Sequence, residues 1–144
     1  MQTVAPTASA LLPRQVWALL ALYALASLIH FVHNAESIAL YPNMPSWLTR
    51  EKVYLAWLAF TGVGLVALAF AAAGWRVAAA LCLAAYGALE FVGLGHYTLA
   101  PHSGHTIAMN LSIWFEAVAG GLLAVSSVRL LARAVDRAKD GPGA

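Results

Sequence analysis

The chain has 144 residues, of which 62% are hydrophobic and 10% charged, with a mean hydropathy of +0.76 and a formal net charge of +2. This composition excludes an ordinary soluble domain, in which about 25% of residues are charged. The basic run from Arg129 to Lys139 contains no aromatic residue, so we expect no nucleic-acid role. The sequence predicts an integral membrane protein that resides in the lipid bilayer.

Four apolar runs follow one another along the chain, each close to the roughly 20 residues that cross a bilayer core as a helix. They cover Val16 to about Tyr41, Val53 to Ala73, Val77 to about Tyr97, and Ile107 to about Leu131. The connections are short, so consecutive helices should be antiparallel neighbours. The predicted fold is all-α, an up-down bundle of four transmembrane helices over residues 14–135, with flexible segments at 1–13 and 136–144.

Basic residues are distributed unevenly between the two ends of the predicted bundle. One end has only Arg50 and Lys52. The other end has Arg14, Arg76, Arg129, Arg133, Arg137 and Lys139. Because Lys and Arg accumulate on the cytoplasmic side of a membrane, we expect a multi-pass protein of the cytoplasmic (inner) membrane with both termini in the cytoplasm. The single Cys82 excludes an intrachain disulfide.

Each predicted helix carries polar side chains on one face, at spacings of three and four residues. They are Tyr23, Ser27, His30, His33, Asn34, Ser37 and Tyr41 on the first helix, Tyr54, Trp57 and Thr61 on the second, Tyr86, Glu90 and Tyr97 on the third, and His105, Ser112 and Glu116 on the fourth. Ionisable groups at mid-membrane cost a few kcal/mol if they face lipid. We therefore expect a polar cavity inside the bundle, towards the non-cytoplasmic side.

Two titratable residues fall outside these faces. Glu36 lies about 60° from His33 on a helical wheel, and we expect it either to orient His33 or to face a neighbouring helix. His96 lies about 120° from the polar face of the third helix. Together with His102 and His105 it forms an imidazole cluster at the predicted mouth of the cavity.

One hypothesis for the cavity is acid–base catalysis on a hydrophobic, lipid-like small molecule. A buried carboxyl group opposite an imidazole supplies the acid and the base that such a reaction needs. The candidate catalytic residues are His33, Glu36, Glu90 and Glu116. Aromatic and polar neighbours would line the pocket for the substrate or stabilise a developing cation. These candidate substrate-binding residues are Tyr23, Trp57, Thr61, Tyr86, Tyr97, Asn110 and Trp114.

A second hypothesis is a site for a divalent transition metal, namely iron, zinc, manganese or copper, with or without a redox role. Imidazoles three residues apart and carboxylates from other helices are typical of metal sites in helix bundles. The candidate ligands are His30, His33, Glu90, His105 and Glu116. Haem held by His33 and a facing imidazole is a variant of this hypothesis.

The third hypothesis is a structural or proton-coupled subunit. The polar groups would then hydrogen-bond across helices and fix their packing. A proton path would use the membrane carboxylates and would require a homodimer, because four spans alone are few for a transport path.

The segment His33-Asn34-Ala35-Glu36 resembles the start of the His-x-x-Glu-Glu motif of a family of small bacterial integral membrane proteins, with Ser37 in place of the second Glu. More distantly, His33 with Glu36, then Glu90, then Asn110 with Trp114, is similar to the emopamil-binding sterol isomerase group of four-helix membrane proteins. That resemblance implies proton transfer to and from a sterol-like double bond. It implies Glu90 or Glu36 as the acid, His33 as its partner, and Trp114 as the group that stabilises a carbocation.

Overall fold

The computed structural model describes residues 12–139, and within this range it has four helices long and apolar enough to cross a membrane. They are α1 (Arg14–Glu36), α2 (Arg50–Ala72), α3 (Arg76–Leu99) and α4 (Ile107–Lys139). The predicted bundle of four spanning helices is confirmed, and the chain is a multi-pass membrane protein. Most of the predicted flexible segments, 1–11 and 140–144, lies outside the described residues.

Four antiparallel spans place the beginning of α1 and the end of α4 at the same end of the bundle. The opposite end, which we call the distal end, carries the connecting segments 37–49 and 100–106. Asn43 ties segment 37–49 to the distal end of α3, because its Nδ2 donates a hydrogen bond of 2.8 Å to the carbonyl of Leu99. The distal segment 37–49 is therefore held to the third span by a contact between residues 56 positions apart in the sequence.

Local signals explain where α2 begins and ends. The N-cap residue Thr49 accepts a hydrogen bond of 3.4 Å at Oγ1 from the backbone N–H of Lys52, which satisfies one of the free donors of the first turn. The turn into α3 contains Gly74 at φ +80°, a left-handed conformation that favours glycine. These two signals fix the length of the second span.

The third span changes its winding partway along. It is α-helical over Arg76–Ala88, becomes a 3₁₀ helix over Leu89–Gly95, and finishes with one α-helical turn over His96–Leu99. A 3₁₀ stretch of seven residues is long, because such runs rarely exceed three or four residues. Its position next to the polar groups makes it part of the site described below.

The core lies between α1, α3 and α4, while α2 packs against α1 and α3 and is the least buried of the four spans. Tyr23, Leu83, Tyr86 and Leu123 are fully enclosed, and the rings of Tyr23 and Tyr86 are 4.6 Å apart. Large apolar side chains such as Leu55 cover the outside of the bundle, as expected of helices that face acyl chains. The helix pair α3–α4 makes the closest approach.

Candidate functional site

A partly open cavity of about 340 Å³ lies between α1, α2 and α3 and beneath the distal segment 37–49. This volume falls within the range of about 300–1,000 Å³ that is usual for small-molecule sites. The apolar part of its lining comes mainly from the three helices and the loop. These side chains are Phe31, Met44, Pro45, Leu48, Val53, Ala56, Phe60, Leu89, Val92 and Leu99.

The polar part of the lining consists of His30 and Asn34 from α1, His96 and Thr98 from α3, and Glu116 from α4. We call His30, Asn34, His96 and Glu116 the polar cluster. All four are buried, and His30 and Glu116 are each only 2% exposed. Titratable groups from separate helices thus meet inside the bundle.

His30 and Glu116 form the imidazole–carboxyl pair of the polar cluster. Their Nε2 and Oε2 atoms are 3.9 Å apart, beyond the range of a direct hydrogen bond. Gly93 lies directly beside both atoms, since a Cβ at this position would be 3.1 Å from Glu116 Oε2 and 3.8 Å from His30 Nε2. The absence of a side chain at Gly93 leaves these two atoms approachable from the cavity.

Asn34 and His96 form the second pair. Asn34 Nδ2 donates a hydrogen bond of 3.0 Å to His96 Nε2, so this ring nitrogen carries no proton. The His96 ring also lies near the ring of His30, with centroids 5.5 Å apart. The two imidazoles and the carboxyl group therefore share one polar end of the cavity.

The 3₁₀ winding of α3 explains why His96 reaches this site. With an α-helical step of about 100° per residue, His96 would lie about 120° from the polar face. A 3₁₀ helix turns about 120° per residue, so the six steps from Glu90 to His96 complete two full turns. His96 then lies on the same face as Glu90. The glycines at 93 and 95 were the available signal for irregular winding.

The prediction that Tyr41 continues the polar face of the first helix is wrong. Helix α1 ends at Glu36, and the chain passes through a short 3₁₀ turn that brings Tyr41 back over the bundle. There its hydroxyl is 2.9 Å from His33 Nδ1, and its ring lies 4.9 Å from that of His96. Burial raises the pKa of the Tyr41 phenol to about 12, so it is neutral at physiological pH. His33 is therefore engaged outside the cavity.

Glu36 also requires a correction, because it lies on the surface of the bundle. Its Oε1 accepts hydrogen bonds from Arg50 and from the hydroxyl of Tyr54, the latter at 2.6 Å. The carboxylate is 46% exposed, and its distance to Arg50 Nη2 is 2.7 Å. Of the two predicted roles, the structure shows the contact with a neighbouring helix. We therefore remove Glu36 from the candidate catalytic residues.

Glu90 is buried beside the cavity without lining it. Its side chain packs against Gly120 and Gly121 of α4, and a Cβ added to Gly120 would collide with Glu90 Oε2. Neither carboxyl oxygen has a hydrogen-bond partner within residues 12–139. Glu90 thus fills a slot between α3 and α4, close to Glu116 in the core.

The seven predicted substrate-binding residues all lie outside the lining of this cavity. Tyr23 and Tyr86 belong to the packed core. Tyr97 donates a hydrogen bond of 2.8 Å to Asn110 Oδ1 and lies near Trp114, in a separate group at the distal end. On α2, the lining residues are Val53, Ala56 and Phe60, the last two being the neighbours of Trp57 and Thr61. The physical reason is a rotation of α2 by about one residue from the polar face that we expected.

The candidate metal ligands do not form a common site. His30 and Glu116 lie 3.9 Å apart, whereas His33 pairs with Tyr41 and His105 Nδ1 donates to the carbonyl of Pro101. Within the described part of the chain, no group of three or more His, Cys, Asp or Glu side chains could hold a metal ion. The donor set therefore does not fit the predicted metal.

Comparisons of the chain with models of protein families, with curated proteins and with solved structures find no match. The resemblances to the His-x-x-Glu-Glu family and to the sterol isomerase group stay predictions from the sequence. The fold is that of a multi-pass helical membrane protein with a largely apolar cavity in its distal half.

Proposed function

We propose that this protein binds a lipid-like molecule in the cavity between α1, α2 and α3 and transfers protons to and from it through His30 and Glu116. The observation that carries the proposal is the combination of an apolar cavity of about 340 Å³ with a buried carboxyl–imidazole pair at one end. Ligand sites commonly have such an apolar lining with a few convergent polar groups.

The position of the cavity supports a ligand that enters from the membrane. Val92 and Leu99 belong both to its lining and to the exposed surface of α3, and Val92 is 62% exposed. In a spanning helix this surface faces acyl chains. A molecule already dissolved in the bilayer could therefore reach the cavity sideways, with its polar end on the cluster and its apolar part in the membrane.

The chemistry follows from the pair itself. A carboxyl group and an imidazole can supply an acid and a base to one bound molecule. A rearrangement that only moves a proton within the substrate would require no other group. The gap of 3.9 Å between Nε2 and Oε2 leaves both atoms available to a ligand, because they do not satisfy each other.

The test is to purify the protein in mild detergent and to identify co-purified molecules by mass spectrometry. Gly93→Leu places a large side chain over His30 and Glu116, and we expect it to abolish retention of the molecule. Gly62→Leu is the matched control, because a Cβ at Gly62 meets nothing within 4 Å. Ala56→Phe fills the cavity from the opposite wall and covers the case in which Gly93→Leu does not fold.

Proton transfer is tested on the same material by incubation in heavy water. We expect the bound molecule to acquire non-exchangeable deuterium with the wild-type protein and none with Glu116→Gln. Wild-type protein that retains no lipid-like molecule, or a molecule retained equally by both cavity-filling variants, would refute the binding proposal. Equal deuterium incorporation in wild type and Glu116→Gln would refute the catalytic part.

A further inference from the structure

The charge of the cavity lining restricts the polar end of its ligand. Among the described lining residues there is one carboxyl group, Glu116, and no lysine or arginine. A ligand with a carboxylate or phosphate would bring a second acid beside Glu116 with no positive side chain to compensate it. Burying a charge without a partner is strongly unfavourable. Fatty acids and phospholipid headgroups are thus poor ligands for this site.

The geometry of the pair restricts the ligand further. Glu116 Oε2 and His30 Nε2 are 3.9 Å apart, and one oxygen atom can lie at a hydrogen-bonding distance of about 2.8 Å from both. A hydroxyl group can donate to the carboxyl oxygen and accept from a ring N–H at the same time. A ketone or an ester lacks the donor. Gly93 leaves the space through which such a group would approach.

We infer that the ligand is an uncharged long-chain alcohol whose hydroxyl group bridges Glu116 and His30. This inference rests on the binding part of the proposed function, since it names the class of ligand in the same cavity. With a water molecule occupying about 30 Å³, the volume of about 340 Å³ accommodates a hydroxyl group and roughly ten further heavy atoms. A longer chain leaves the cavity past Val92 and Leu99 into the bilayer.

The experiment compares four probes that share one saturated chain: tetradecanol, tetradecanoate, tetradecylamine and tetradecane. The protein is first freed of co-purified molecules and reconstituted in lipid nanodiscs. Each probe is then titrated into it, and binding is measured by native mass spectrometry and by the shift in melting temperature. We expect tetradecanol to bind about tenfold or more tightly than tetradecane and tetradecanoate, because the alkane makes no hydrogen bond to the pair and the carboxylate brings a second acid beside Glu116.

Substitutions assign the preference to the polar cluster. Glu116→Leu should remove the advantage of tetradecanol over tetradecane while both still bind. Glu51→Leu, which removes a carboxylate from the exposed first turn of α2, should leave the advantage unchanged. If Glu116→Leu does not fold, His30→Phe provides the same test from the other atom of the pair.

The outcomes distinguish the choice of an alcohol as ligand from the binding function on which it rests. Failure of all four probes to bind would refute the proposed function itself. Binding of tetradecane, tetradecanoate or tetradecylamine at least as tightly as tetradecanol would leave a lipid-binding cavity but overturn the alcohol as its ligand. An advantage for tetradecanol that survives both Glu116→Leu and His30→Phe would also overturn the bridging hydroxyl.

Discussion

Asn34 and Glu36 stand two residues apart at the end of α1 and meet different surroundings. The Asn34 side chain is 7% exposed and donates to His96 within the polar cluster, whereas Glu36 reaches out to Arg50 on the surface. A buried hydrogen bond satisfies two polar groups that water cannot reach, so its loss leaves a group without a partner. The groups of an exposed ion pair can be solvated by water instead, so the loss of that pair costs little. The two residues therefore contribute differently to stability although both bond across helices.

We predict that Asn34→Leu lowers the free energy of unfolding by about 1–3 kcal/mol, because His96 Nε2 is then buried without a donor. Glu36→Gln should have a much smaller effect, because its pair with Arg50 is exposed. Unfolding by sodium dodecyl sulfate in mixed micelles, followed by circular dichroism, measures both. A larger loss for Glu36→Gln than for Asn34→Leu would contradict this ranking.

At the scale of the elements, the closest approach in the bundle is between α3 and α4. A Cβ on Gly87 would lie 2.7 Å from the backbone carbonyl of Gly120, and a Cβ on Gly120 would lie 2.7 Å from that of Gly87. Such contacts between backbones are possible only where both helices lack side chains. The space left by the missing side chain of Gly120 also accommodates the carboxyl group of Glu90. These glycines therefore determine both the packing of the two helices and the position of a buried acid.

We predict that Gly120→Ala destabilises the bundle by about 1–3 kcal/mol, because the added methyl group would force α3 and α4 apart and displace Glu90. Gly62→Ala is the control on an open face of α2 and should be close to neutral or slightly stabilising. Thermal unfolding of the two variants in the same detergent makes the comparison. Equal melting temperatures would show that the backbones do not approach this closely.

The sequence was sufficient to predict the four spans, because length and hydropathy alone identify a segment that crosses a bilayer. It was also sufficient to place His30 and Glu116 inside the bundle, since both lie on α-helical stretches with the ordinary period. The predicted position of His96 relative to the polar face was wrong, because a helical wheel assumes the same rotation for every residue and cannot represent a change to 3₁₀ winding. Phe31 and Phe60 could not be assigned to the cavity, because apolar residues face lipid and cavity alike.

The contacts of Glu36 were beyond sequence reasoning for a different reason. Its partner Arg50 is 14 positions away, across a loop whose path depends on the fold-back of Tyr41. Adjacent placement of His33 and Glu36 in the sequence suggested a shared role, but the two side chains point to different neighbours. Local spacing predicts a shared face of a helix, and it does not predict which partner each side chain finds.

At the scale of the whole molecule, the bundle has a strongly asymmetric distribution of basic residues. The end that carries the beginning of α1 and the end of α4 has most of the arginines, and the distal end has Arg50 and Lys52. The cavity and its polar cluster lie in the distal half. If the basic end faces the cytoplasm, as the distribution predicts, the cavity lies nearer the outer leaflet.

We predict that a cysteine in place of Lys52 reacts with a membrane-impermeant maleimide added outside intact cells, whereas one in place of Arg129 reacts only after permeabilisation. The background for both is a Cys82→Ala variant, which removes the single native thiol. Gel-shift detection of the labelled chain gives the result. Labelling of Arg129→Cys in intact cells, with Lys52→Cys protected, would reverse the proposed orientation.

The 3₁₀ segment Leu89–Gly95 of α3 also affects the length of the third span. Its seven residues rise about 2.0 Å each instead of about 1.5 Å, which adds about 3.5 Å to the span. A third span that was α-helical throughout would need about two more residues to cover the same distance along the helix axis. It would also turn His96 towards the acyl chains. Insertions or deletions between Leu89 and Gly95 should therefore be tolerated less well than those in the distal loops.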